Sequence, residues 1–165
     1  SSSFILPPSS FPMSWIPPSL DDLKGKFPPQ VISLIANYSA KSGDTSDALL
    51  TRELANAIEE VRGYVAANAE NQLGAAGTLP ASLKDCALVL ARKRIYANVP
   101  GLDTLLNDAM KDEVKDVQRK LENVAAGKFR IIQPDTPGTE VIPRPKMEIV
   151  TANDRRNTRD QMKSL

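Results

Sequence analysis

Histidine is absent from the 165 residues, which removes the commonest general base and metal ligand and disfavours most hydrolase and zinc chemistries. Cysteine occurs once, as Cys86, so no internal disulfide can form. Placed on an apolar helical face, it reads as a small buried hydrophobe. No stretch approaches the roughly 18 apolar residues of a membrane span. Pro7, Pro8 and Pro12 interrupt the N-terminal region, which lacks the basic start and unbroken apolar run of a signal peptide. The formal net charge is only +1, so no global field steers the chain toward nucleic acid or a membrane. These absences predict a protein made in the cytoplasm with a reduced thiol, no cofactor, no metal and no enzymatic activity.

What is present is unevenly spread. Seven of the thirteen prolines and four of the eight aromatics fall in residues 1–29, and four more prolines fall in 128–165, so both ends read as arms around a globular middle. Residues 128–165 carry a net +3, whereas 1–49 and 50–127 each carry −1. The organisation expected is a Pro-rich N-terminal arm (1–18), a helical core (19–127) and an extended C-terminal arm (128–165). The fold class expected is mainly α: an antiparallel helical bundle whose C-terminal arm contains short β segments.

Helical periodicity carries this reading. Ser19 and Asp22 form an acidic capping box before a short helix from Leu20 to about Phe27, which Pro28-Pro29 breaks. Val31, Ile32, Leu34 and Ile35 add one or two apolar turns ending near Tyr38. Thr51 caps a helix to about Asn71, with Leu54, Ile58, Val61 and Val65 on one stripe and Glu53, Glu59, Glu60 and Arg62 off it; Gly63 fits where a neighbouring helix comes close. From Pro80 to Val99 apolar residues occupy more than one side, which predicts the central helix, with Pro80 in its first turn and Pro100-Gly101 closing it. The longest helix is expected from Leu102 to Ala126, on the stripe Leu106, Met110, Val114, Val117, Leu121 and Val124, with Gly127 as a left-handed cap. Residues 128–133, 140–142 and 147–150 read as extended pieces that prolines confine to sheet edges or arms.

Two motif-like features dissolve under inspection. Gly74 and Gly77 lack the lysine and preceding strand of a phosphate loop. Asp44 and Asp47 lack the alternating oxygens and closing Glu of an EF-hand and read as a turn plus helix cap. The basic triplet Arg92-Lys93-Arg94 sits toward a helix C-terminus, where cations complement the dipole.

An ordered set of residues carries a resemblance. The opening helix with Leu20 and Leu23, the helix with Glu59 and Tyr64, the proline-started helix running into Arg94-Ile95-Tyr96, and the close of the long helix from Val124 to Lys128 together resemble the Mu-like family of phage head-tail connector proteins. The run Arg156-Asn157-Thr158-Arg159-Asp160-Gln161-Met162-Lys163 is similar to that family's terminal signature, so the resemblance covers residues 16–129 plus the tail. It implies a structural virion protein: a helical adaptor that forms a homo-oligomeric ring, usually a dodecamer, beneath the portal protein. It also implies a neck or tail-terminator (tail-completion) partner, phage DNA passing through the channel, and no membrane contact. The Pro-rich leader departs from the family pattern.

On this reading the arms hold the docking residues. Phe129, Ile131, Val141, Ile142, Ile149 and Val150 are apolar anchors for strand addition, and Arg155, Arg156, Arg159 and Lys163 are cations for acidic portal groups. Phe4, Phe11 and Trp15 are expected to dock the N-terminal arm on a neighbouring subunit. The alternative is a small helical DNA-binding regulator using Arg92-Lys93-Arg94 or Arg155-Arg156; the near-neutral core without a basic recognition helix speaks against it.

Overall fold

A computed structural model describes residues 15–135 and 138. The fold is mainly α. Its elements are β1 (Trp15–Ile16), α1 (Leu20–Lys24), α2 (Pro29–Lys41), α3 (Ser46–Ala67), β2 (Leu79–Pro80), α4 (Lys84–Asn98) and α5 (Asp108–Ala125). The two strands pair antiparallel, Trp15 with Pro80 and Ile16 with Leu79.

Local chemistry explains most boundaries. The Ser19 hydroxyl accepts from the Asp22 N–H while Asp22 reaches back to the Ser19 N–H, so the capping box forms and α1 starts at Leu20. Pro28 and Pro29 end one helix and open the next, because Pro29 stands at the first helical position where no N–H is needed. At the far end Gly127 adopts φ 72°, the Gly127 N–H donates to the Val124 carbonyl, and the Lys128 N–H donates to Asn123 at 2.8 Å. That is a Schellman closure, and it requires the left-handed residue that glycine supplies.

Four expectations are corrected. Thr45 rather than Thr51 caps α3, its hydroxyl accepting from the Ala48 N–H; the helix begins earlier because Leu49 and Leu50 already need burial. Pro80 belongs to strand β2, and a 3-10 turn over Ala81–Leu83 leads into α4. A second 3-10 turn over Asp103–Leu105 precedes α5, which Asn107 caps, so α3 with 22 residues outlasts α5 with 18. Gly63 is exposed and a Cβ there would meet open space, so none of the described helices approaches it.

The core explains the order of the helices. In α4, Cys86 through Ala91 are all buried, as are Ile95 and Tyr96; a helix stretch apolar on more than one side must be enclosed. Yet α3 is the element that packs on every other helix, while α4 packs on α1, α3 and α5. Because α3 is covered on several sides, Glu53 and Arg62 are buried with the stripe they flank, contrary to the sequence expectation. Val114, Val117, Leu121 and Val124 turn the apolar seam of α5 inward, and the Phe27 ring stacks on Tyr96 with centroids 5.9 Å apart. Among the described residues no helix is long and apolar enough to cross a membrane.

Polar ties hold α1 against the start of α4: Asp22 meets Lys84 at 2.7 Å and Lys26 meets Asp85 at 2.6 Å. The Lys84 ammonium first, then the Ser19 hydroxyl and N–H, hold the Asp22 carboxyl down from 3.8 to about 2. A folded value below the unfolded one means the stabilisation is complete above about pH 4 and is lost as pH falls through the window from 3.8 to about 2. Asp22→Asn is expected to flatten the acid limb of a stability-against-pH curve in that window. An unchanged acid limb would show that this carboxylate is not the linked group.

Candidate functional site at the arm junction

The site starts from one buried cation. Arg62 follows Ile58 and Val61 on the inner face of α3, and its side chain is 1% exposed. A guanidinium carries five N–H donors in a fixed fork, so burial demands acceptors on several sides. The loop between α3 and β2 supplies them. Nη1 donates to the carbonyls of Ala75 at 3.0 Å and Thr78 at 2.9 Å, and Nη2 donates to Gly74 at 3.3 Å. Nε lies 3.7 Å from the carboxylate of Glu59, whose side chain is 65% exposed. The charge is thus met by loop dipoles inside and by a carboxylate at the surface.

That loop becomes a seat. The Thr78 N–H and hydroxyl both donate to Ala75, and Gly77 turns the chain at φ 75°. Leu79 and Pro80 then emerge in register with Trp15 and Ile16. The Trp15 ring lies so close over Gly74 that a Cβ there would sit 2.8 Å from Cε3; only glycine leaves room. Trp15 is 6% exposed, and its indole N–H donates to the Ile132 carbonyl at 2.8 Å.

The chain after α5 closes over the same loop. Gln133 accepts from the Gln72 N–H at 2.8 Å and donates to the Asn71 side chain at 3.1 Å. Asn71 is anchored in turn to the Val65 carbonyl at the end of α3. Gly138 donates its N–H to Leu73 at 2.7 Å. Beside this segment lies a groove of about 340 Å³ bordered by Asn68, Glu70, Phe129 and Arg130. Trp15 from the N-terminal side and Gln133 and Gly138 from the C-terminal side therefore meet on one loop, which Arg62 fixes from below.

The structure relocates some of the expected docking residues. Trp15 and Ile131 are buried in their own chain, and Phe129 packs against the core with the Lys120 ammonium 5.2 Å from its ring centroid. The C-terminal segment thus does not leave the bundle at Lys128. Nor is 128–133 a strand: the Ile132 carbonyl is taken by an indole rather than by a ladder. Phe4, Phe11, Val141, Ile142, Ile149, Val150, Arg155, Arg156, Arg159 and Lys163 lie outside the described residues. Arg62, Gly74, Asn71 and Gln133 escaped the sequence reading. The signal for Arg62 was an arginine flush with an apolar stripe, which the periodicity assigned to its solvent side. In the basic triplet, Arg92 pairs with Glu113, and Arg94 pairs with Glu60 at 2.7 Å. Asp47 serves as a partner of Lys24 at 2.8 Å, and the Asp44 carboxylate accepts from the Thr45 N–H.

The model of the family described as Bacteriophage Mu, Gp36 matches residues 19–148, well over half of the chain. No curated protein and no solved structure matches.

The seat over Gly74 yields a direct expectation. Gly74→Ala puts a methyl where the Trp15 ring stands, and such overpacking typically costs about 1–3 kcal/mol. Denaturant titration should show that loss, and tryptophan emission should shift to the red as the ring is lifted. Parent-like stability and emission would show that the contact is loose.

Proposed function

The chain belongs to the bacteriophage Mu Gp36 family, and on that premise we propose that it is a structural virion protein, the head-tail adaptor. In this reading copies of the chain form a ring beneath the portal protein, join the capsid to a neck or tail-completion protein, and leave a central channel for phage DNA. The role needs no catalytic group and no cofactor, and it places the protein in the virion neck after synthesis in the host cytoplasm.

The observation that carries this reading is the arm junction. The bundle completes its core around α3 and α4, and Trp15 on one side and Ile132 and Gln133 on the other are held at one loop from which the chain continues toward both ends. Extensions fixed at their roots suit attachment to large partners, where main-chain pairing supplies affinity and side chains supply register. Val141, Ile142, Ile149 and Val150 serve as the apolar anchors, Arg155, Arg156, Arg159 and Lys163 meet acidic portal groups, and Phe4 and Phe11 dock on a neighbouring subunit. The DNA-regulator alternative has less support, because Arg92 and Arg94 are engaged by Glu113 and Glu60.

The test compares the full chain with a chain ending at Gly138 on purified portal rings, with light scattering to measure the assembly. The full chain is expected to be retained as a closed ring and the shortened chain, still helical, to wash through. Full retention of the shortened chain at moderate salt would move the attachment to the bundle or to the N-terminal arm.

A further inference from the structure

The hydrogen bond from the Trp15 indole to the Ile132 carbonyl joins residues 117 positions apart, and it is the point where the two terminal segments touch. We propose that Trp15 and residues 130–133 form a latch that couples the arms: β1 stays seated while the C-terminal segment runs across it, and a partner that draws one segment off loosens the other. The inference holds whatever that partner is.

Each half of the latch is weak by itself. The β1–β2 ladder is only two residues long, and one of its members, Pro80, has no N–H to give. What fixes Trp15 is its ring on Gly74 and its donor on Ile132. The C-terminal side is held by the Gln133 side chain on Gln72 and Asn71, the indole on Ile132, buried Ile131 and the Gly138 N–H on Leu73. Removing the indole deletes one of these contacts, and removing Gln133 releases the backbone that supplies Trp15 with its acceptor. Linkage makes the effect reciprocal: the factor by which the segment favours seated Trp15 is the factor by which Trp15 favours the seated segment.

The surroundings permit release without unfolding. Ile132 offers its carbonyl to Trp15 while its side chain is 65% exposed, so a partner can grip the residue from outside. Pro17 and Pro18 connect β1 to Ser19, whose capping box with Asp22 fixes the start of α1 by contacts that do not involve β1. Beneath the latch, Arg62 holds the loop carbonyls independently of either arm.

Trp15 is the only tryptophan, so its fluorescence reads the latch directly in the full chain. In Gln133→Ala, which trims an exposed side chain and removes its bonds to Gln72 and Asn71, acrylamide is expected to reach Trp15 at least about fivefold more readily, the factor that the net contribution of a single hydrogen bond already gives. In Trp15→Phe, which keeps a ring but removes the donor, the Gln72 amide should exchange about fivefold faster. Amides around Leu90 should be unchanged in both variants. Parent-like quenching in Gln133→Ala, or parent-like Gln72 exchange in Trp15→Phe, would overturn the coupling. Acceleration that spreads to the Leu90 amides would also overturn it, by showing general loosening instead of a latch.

Discussion

A buried guanidinium facing three carbonyls is the interaction on which the rest of the molecule depends. Residues 68–78 form no helix or strand of their own, yet Asn71 and Gly74 within them are buried. Backbone carbonyls shut away from water need donors, and each one left without a partner costs about 1–3 kcal/mol. Arg62 supplies donors to Gly74, Ala75 and Thr78 at once. The cation needs the loop equally, since a guanidinium taken from water without acceptors is far more costly than a neutral group. Each makes the other's burial tolerable, and a loop that would otherwise be a surface connection becomes a rigid platform.

The described residues on either side of the bundle are built on that platform. Trp15 lies on Gly74, Leu79 and Pro80 pair with β1, and Gln133 and Gly138 bond to the loop backbone. The helices serve it by position: α3 carries Arg62 at its inner face and Val65 as the anchor of Asn71, and the glycine closure of α5 sends the chain back across the loop. This geometry fixes Trp15 on one side of the loop and Gln133 and Gly138 on the other.

Much of this architecture was legible in the residues. The capping box at Ser19 and Asp22, the apolar surface on more than one side of α4, the stripe on α5 and the glycine closure at Gly127 are local patterns with local causes, and the structure shows each of them. The shift of the α3 cap from Thr51 to Thr45 has a local cause too, since Leu49 and Leu50 were burial signals already visible. The junction was not legible. Its contacts join Trp15 to Ile132, Gln72 to Gln133 and Arg62 to a loop twelve or more positions on, and no periodicity encodes such pairings. Arg62 and Glu53 were assigned to solvent because charge usually marks a surface; α3, enclosed by four helices, leaves less surface than a single stripe implies.

The most direct measurement of the central claim is urea unfolding of Arg62→Met, followed both on the tryptophan and on the helical far-ultraviolet signal. Methionine preserves much of the stem while removing the charge and all the donors to Gly74, Ala75 and Thr78. The account predicts that Trp15 is exposed before any urea is added while the helical signal persists, and that the helical transition comes at a lower urea concentration than in the parent. Trp15 remaining buried until the helices melt, at the parent's midpoint, would contradict it.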